Sequence, residues 1–412
     1  MIDYYETKAH PITRKMVWDA YQRIRKNGKA AGVDGVSFDE YEEKLQANLY
    51  KLWNRLTSGS YFPLLTREKR IPKSGGGTRS LGIATVEDRT AQQVVRAYLE
   101  PLMEPTFHDS SYGYRPKRHA HQALAAATAN CFTNHWVIDI DIKGYFDTID
   151  HSLLMKAIER YTAEKWVLMY IERWLKAGTL KEDGSVVDRI SGTAQGSVLS
   201  PLLSNVFLHF VFDKWMQKSY PRNRFERYSD DIIVHCKSEK QALYLKALIG
   251  KRFRECKLTL SETKTRIVYC KNSDNKEEGK HMKASFDFLG FTFKPRITRV
   301  KSGELKLLNL PAMSLKAKKQ VAEEIRSWKL HLKQWKLPAI AEMINEKVRG
   351  WINYYCHKLP ETTWKLWVLI NRRLLKWIMW QRQWRFRRAV RWLRMTFKQQ
   401  PNLFAHWAIA RP

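Results

Sequence analysis

The chain has 412 residues, 28% of them charged, and its 73 Lys and Arg against 41 Asp and Glu give a formal net charge of +32. An apolar content of 44% and 16 tryptophans exclude a wholly disordered chain, and the length allows two or three domains with a large buried core. A charge this far from zero repels itself in a compact state unless a polyanion offsets it, and nucleic acid is the obvious one. A membrane is not expected as partner. Residues 1–10 are polar, and the best apolar run, 364–380, is cut by Lys365, Arg372, Arg373 and Lys376. The five cysteines are scattered, which suits reduced thiols in a cytosolic compartment, and one close histidine pair, His119 and His121, makes no zinc pattern.

Taken in chain order, 88–103 carries apolar residues at helical spacing (Ala91, Val94, Val95, Leu99) up to Pro105. Residues 136–142 alternate, with Ile138, Ile140 and Ile142 on one face and Asp139 and Asp141 on the other, which predicts a strand with one buried and one polar face. Helices are predicted over 151–161 and 163–175, and short strands over 232–235 and 266–270. Residues 271–284 read as a loop or insertion. Alternating aromatics around Gly290 predict one strand over 286–293.

A boundary near 300 follows, because the composition then changes. Residues 301–412 hold 24 Lys or Arg against six Glu, and ten of the 16 tryptophans. Three amphipathic helices are predicted there: one from Ser314, one over about 338–356, and one from Thr362 through Trp364, Trp367, Ile370, Leu374 and Trp377. Core packing explains most of the tryptophans; contact with nucleic acid is the sharper reading for some.

The pattern that could carry chemistry is Tyr228-Ser229-Asp230-Asp231 followed by Ile232-Ile233-Val234. Adjacent aspartates point to opposite faces in a regular strand, whereas a tight hairpin turn lets both project near one point. Alone, such a pair is usually a solvated turn. Its meaning changes beside the polar face of the 136–142 strand, where alternation alone does not choose between Asp139 and Asp141. Two or three Asp from neighbouring strands supply the hard oxygen ligands that paired Mg²⁺ ions need for phosphoryl transfer to a nucleic-acid 3′ end.

An ordered series of motifs surrounds these carboxylates. It runs Gly32-Val33-Asp34-Gly35-Val36-Ser37, Tyr61-Phe62-Pro63, Ile71-Pro72-Lys73, Gly77-Thr78-Arg79-Ser80-Leu81-Gly82-Ile83 and Ser111-Tyr112-Gly113-Tyr114-Arg115-Pro116. It continues with 141–147 (DIKGYFD), 195–205 (QGSVLSPLLSN), 260–265 (LSETKT), Phe288-Leu289-Gly290-Phe291 and 349–355 (RGWINYY). In this order the series resembles the reverse transcriptase/maturase proteins encoded by bacterial group II introns, over nearly the whole chain.

The resemblance implies an α+β right-hand polymerase fold, fingers and palm with antiparallel sheet, followed by an all-α thumb or maturase domain. It places an N-terminal extension and fingers at 1–87, the palm with interleaved fingers elements at 88–300, the thumb at 301–390 and a short basic remnant of a DNA-binding region at 391–412. It selects Asp141, because Ile142-Lys143-Gly144-Tyr145-Phe146-Asp147 follows it. Asp141, Asp230 and Asp231 would then hold two Mg²⁺ ions, with Mn²⁺ as a substitute and the Ile142 carbonyl as a further ligand. Phe146 would exclude a ribose 2′-OH, although ordinary strand core suits its spacing equally. Lys73, Arg79 and Lys264 would meet phosphate, and Gln195 and Gly196 would shape the nucleotide pocket. Arg14, Lys15, Arg23, Arg25, Lys26, Lys29, Arg115, Arg349, Arg372, Arg373, Arg385, Arg387 and Arg388 would contact nucleic acid.

Two departures stand out. Ser229 replaces the family's Ala before the two Asp, and Ala194-Gln195-Gly196-Ser197 replaces Pro-Gln-Gly-Gly. The short stretch after Trp407 gives the expectation that no HNH endonuclease follows. The implied function is RNA-directed DNA synthesis by target-primed reverse transcription, together with maturase binding of group II intron RNA. The implied partners are template RNA with a DNA or RNA primer, dNTPs and target DNA, in a bacterial cytoplasm or nucleoid. The alternatives are a free-standing relative serving repair or phage defence, and a non-catalytic RNA-binding splicing cofactor.

Overall fold

A computed structural model describes residues 9–26, 30–72, 77–273, 284–299, 303–332, 334–357 and 359–412. It divides into two compact units, Met1–Ala123 with Trp136–Ile267, and Leu124–His135 with Val268–Pro412.

The first unit opens with α1 (Arg14–Arg25), α2 (Phe38–Glu43) and α3 (Leu45–Thr57). Thr13 and Ser37 cap α1 and α2 by accepting from the N–H groups of Met16 and Glu40, and Val17, Ala20, Tyr21 and Ile24 form the buried stripe of α1. A hairpin follows, β1 (Thr66–Pro72) and β2 (Thr78–Ile83), then α4 (Val86–Met103), capped by Thr85 and carrying Pro101 near its end. Helix α5 (Ala120–Thr133) leads out of the unit, which resumes with β3 (Trp136–Ile140). Next come α6 (Tyr145–Thr148), α7 (His151–Ile158), α8 (Lys165–Lys176), β4 (Thr179–Leu180), β5 (Val186–Val187) and α9 (Ser200–Leu208). A π turn over His209–Asp213 joins α9 to α10 (Lys214–Ser219), and β6 (Phe225–Tyr228), β7 (Asp231–Cys236) and α11 (Glu239–Glu255) follow. The chain leaves along β8 (Arg266–Tyr269).

One sheet has the order β2-β1-β4-β5; the other holds β6, β7 and β3, antiparallel, with β7 in the middle. The predicted half-polar character of β3 is corrected here. Trp136, Val137, Ile138 and Ile140 are all buried, as are Ile232, Ile233 and Val234 of β7, because α11 covers these strands. Such near-continuous β-branched runs mark a sheet covered on both faces.

The second unit contains β9 (Phe286–Phe288), β10 (Phe291–Arg299), β11 (Leu305–Met313), α12 (Leu315–Ser327), α13 (Leu337–Tyr355), α14 (Trp364–Arg382) and α15 (Phe386–Gln399). The single strand expected over 286–293 is a hairpin. Leu289 and Gly290 both have positive φ (52° and 78°), the signature of a tight type I′ turn, and Phe286 stacks on Phe293 at 4.7 Å. Aromatic alternation is the same on one strand or two, so it could not reveal the fold-back. β11, paired along nine residues with β10, was also unforeseen, because its leucines imitate helical spacing. The boundaries expected at 300 and 390 fall between these paired strands and inside α15.

Among the described residues four α-helices, not the three expected, close the unit. Their shared core joins Val321 and Ile325 of α12, Ile340, Ile344 and Val348 of α13, and Trp367, Ile370 and Leu374 of α14, with Ala389 and Leu393 of α15. Trp367, Trp377 and Trp407 lie in this core, whereas Trp364 and Trp380 are exposed.

Candidate active site

The site lies wholly in the first unit and follows from strand register. Ile140 of β3 pairs with Ile232 of β7, so Asp141 and Asp231 are the next residues at the same end of the sheet. On the other side Tyr228 pairs with Asp231, which leaves Ser229 and Asp230 as the two residues of a hairpin turn. Ser229 has a positive φ of 60° and Asp230 does not, the pattern of a type II′ turn, whose first position favours Gly. The main chain of Asp141 is held by Thr265, whose hydroxyl accepts from its N–H at 3.2 Å, and by Ser261, whose N–H donates to its carbonyl at 2.8 Å.

Asp139 and Asp141 separate physically. Asp139 is ion-paired to Arg266 at 3.1 Å, whereas Asp141 lines an open cleft. That cleft, of about 570 Å³, also contains Asp230, Ile142, Phe146, Gln195, Gly196, Arg79 and Lys264. Burial holds the Asp230 carboxyl above the usual carboxylate range, and the charge of Asp141 adds to the effect. Asp231 is solvent-exposed at the start of β7. The Lys264 ammonium stands 3.4 Å from the Asp141 carboxylate.

Among the described residues no three His, Cys, Asp or Glu side chains close on one point as a preformed metal cage. The donor set nonetheless suits Mg²⁺, which binds through one or two carboxylates per ion and takes its remaining oxygens from water and substrate phosphate. Carboxylates at the end of β3 and in the adjoining turn, that of Asp230 held up by burial and further by the charge of Asp141, form a set that a divalent cation would relieve.

Phe146 sits in the single turn α6, not in strand core, and is half-buried at the cleft wall. Gly196 takes φ 101°, and a Cβ there would come within 3.3 Å of the Gly82 carbonyl, whose own N–H donates to Gln195. Arg79 is exposed on β2, paired in register with Ile71; Lys73 lies outside the described residues.

The basic residues expected at nucleic acid divide. Arg115 is corrected: it is buried, bound to Glu104 and to the carbonyls of His108 and Ser111, and is a structural residue. Arg25 is likewise engaged by Glu42 and Asp39. Arg14 packs over Trp53 at 4.6 Å, and Lys15 pairs with Asp19. Arg23 and Lys26 are exposed, and Lys29 lies outside the described residues. In the second unit Arg349, Arg372, Arg385, Arg387 and Arg388 are exposed and Arg373 is half-buried.

Three supports of the site carried no recognised sequence signal. Gln92, buried in α4, accepts from the Ser197 hydroxyl at 2.8 Å and the Val198 N–H at 3.0 Å, and so anchors the departure at 197. Gly192 packs directly on the backbone of Phe146 and Asp147. Arg227 lies beneath the Ser229–Asp230 turn. Only its place next to Tyr228-Ser229-Asp230-Asp231 could have singled it out.

Residues 71–293 match the family model for reverse transcriptase (RNA-dependent DNA polymerase), and residues 318–397 match the group II intron maturase-specific domain. Protein YkfC of Escherichia coli K12 is 33% identical over 261 residues, covering 61% of this chain and 65% of that protein. Group II intron-encoded protein LtrA of Lactococcus lactis subsp. cremoris is 33% identical over 279 residues, covering 66% of this chain and 46% of that protein. The chain thus spans less than two thirds of the length of either relative. A telomerase structure from Candida albicans matches with a TM-score of 0.44 at 13% identity, covering 90% of this chain and 70% of that one. With a matching polymerase model over more than half its length and a maturase model beyond it, the chain belongs to the reverse transcriptases that carry a group II intron maturase domain.

Proposed function

We propose that the chain is an RNA-directed DNA polymerase that also binds group II intron RNA as a maturase, assisting splicing and making cDNA by target-primed reverse transcription. One observation carries the reading: the end of β3 and the Ser229–Asp230 turn meet in a cleft that also holds Phe146, Gln195, Gly196, Arg79 and Lys264. Asp141, Asp230 and Asp231, with the Ile142 carbonyl, would hold two Mg²⁺ ions, with Mn²⁺ able to substitute. Metal held by these residues would supply Lewis-acid activation of a primer 3′-hydroxyl and charge neutralisation at the triphosphate and departing pyrophosphate. Arg79 and Lys264, with Lys73, would grip the triphosphate of the dNTP, Gln195 and Gly196 would support its base and sugar, and Phe146 would exclude a 2′-OH.

The 1–87 segment would serve as N-terminal extension and fingers, the sheet that carries Asp141 as palm, and the helical end as thumb. The exposed arginines of α14 and α15 would meet phosphates of template, primer, intron RNA or target DNA. No helix among the described residues is long and apolar enough to cross a membrane. The proposed location is the bacterial cytoplasm or nucleoid, where the nucleic-acid substrates of such an activity lie.

Purified chain with Mg²⁺, dNTPs and a primed RNA template at moderate salt should make cDNA, and the D230A/D231A variant should not. The same variant should retain intron-RNA binding. Equal cDNA synthesis by both proteins would overturn the metal-site assignment.

A further inference from the structure

We propose that Arg227, oriented by Asp213 and Asn205, is a positioning residue that locks the Ser229–Asp230 turn and so aims the metal-binding carboxylates. The inference rests on the reading of that site given above.

Arg227 and Asp213 are completely buried. The guanidinium donates to both oxygens of Asp213, Nε at 2.8 Å and Nη2 at 2.6 Å. Its remaining arm, Nη1, donates to Oδ1 of Asn205 at 2.9 Å and to the carbonyl of Ser229 at 3.2 Å. Asn205 in turn donates from Nδ2 to the carbonyl of Gly113 at 2.7 Å. Gly113 itself lies against the turn, since a Cβ on it would be 2.5 Å from the Ser229 nitrogen. The main chain of Arg227 is clamped too, between Ser110 and Tyr112. Residues of three separate sequence motifs, around 111–116, 195–205 and 228–231, therefore meet around Arg227.

A fully buried ion pair is a poor stability device, because replacement by apolar residues is often neutral or stabilising. Its placement is the informative feature. In a type II′ turn the soft motion is a flip of the central peptide, which converts it towards type I′ and would force Asp230 as well as Ser229 to positive φ. Here that peptide joins Ser229 to Asp230, and its oxygen is the one Arg227 holds. Asp213 owes its place to the π turn at the end of α9; such local widenings are frequent at functional sites. Only a planar fork reaches Asp213, Asn205 and the Ser229 carbonyl together; a Lys ammonium does not.

The test compares wild type, R227K, the apolar pair R227M/D213L, N205A and D230A. Each is measured for thermal stability, for single-nucleotide extension on a primed RNA template, and for Mn²⁺ binding by electron paramagnetic resonance. The apolar pair should melt close to wild type, yet show a kcat lower by about 100-fold, the scale of a misplacement near 1 Å. Its Mn²⁺ affinity and its half-saturating Mg²⁺ should weaken by about tenfold, with template affinity unchanged. R227K should fall between. N205A keeps the ion pair and should lose about tenfold in kcat with the same shift in metal dependence, which decides the matter where the apolar pair does not fold. A folded apolar pair or N205A with wild-type kcat and Mn²⁺ affinity overturns the proposal. Loss of extension in wild type with Mn²⁺ affinity still lowered in N205A would instead refute the polymerase reading and leave the positioning role standing.

Discussion

Gly192→Ala is a sharp probe of how the cleft wall is built. A Cβ at 192 would lie 2.6 Å from the Phe146 carbonyl oxygen and 2.7 Å from both the Cα and the carbonyl carbon of Asp147. These neighbours are backbone, so no side chain can rotate away. They are also pinned, because Thr193 N–H donates to the Phe146 carbonyl at 2.7 Å and Gly192 N–H donates to the Ile149 carbonyl at 2.7 Å. The residue moreover has φ 80°, where an L side chain costs about 1–2 kcal/mol. Overpacking adds about 1–3 kcal/mol, so the total loss should be about 2–5 kcal/mol. The strain must relax by moving α6, and Phe146 with it. Urea denaturation measures the first consequence. The second is read by incorporating a dNTP or its ribonucleotide opposite one template base, where discrimination should fall about tenfold, or roughly 1.4 kcal/mol. A variant within about 1 kcal/mol of wild-type stability and with unchanged discrimination would refute the reasoning.

Burial pushes the Asp88 carboxyl up to about 6 from an ordinary 3.8, while Tyr61, Trp174 and the Leu64 N–H hydrogen-bond to it. The folded state therefore binds this proton more tightly; the contribution is present in full below about pH 4 and is lost as pH rises through 6, on the order of 3 kcal/mol. D88N should flatten that part of the stability–pH curve, and an identical slope in both proteins between pH 4 and 6.5 would count against it. Trp367 is fully buried and donates from Nε1 to the Thr363 hydroxyl at 2.9 Å, so W367A should cost about 3–5 kcal/mol by denaturant melting. R387A/R388A, on the exposed face of α15, should leave stability within about 0.5 kcal/mol. The pair should reduce the slope of log affinity for RNA against log salt by about 1–2; an unaltered slope would remove this face from the interface.

What the sequence made legible was local. Asp230 and Asp231 stand together in the chain, and the run from Asp141 to Asp147 identified its partner before any strand register was known. Phe146, Gln195, Gly196, Arg79 and Lys264, taken from five separate stretches, line one cleft with Asp141 and Asp230. What was illegible depended on distant partners. Gln92 meets Ser197 across 105 positions, and Asn205 meets Arg227 across 22, with no periodicity to announce either. Charge alone also misled. Arg115 looks like a phosphate ligand until it is found buried and held by Glu104. In the second unit, the positive-φ turn at Leu289 and Gly290 split one expected strand into β9 and β10, and leucine spacing that fits two periods hid β11.

The pairing of Ile140 with Ile232 has one more consequence. Side chains alternate with a period of two, so inserting or deleting one residue in β3 or β7 would turn Asp141 or Asp231 to the opposite face of the sheet. β3 and β7 thus behave like a reading frame, intolerant of a shift by one. The exposed Asp183–Ser185 turn between β4 and β5 carries no such constraint, and length changes can accumulate there without altering where the carboxylates point.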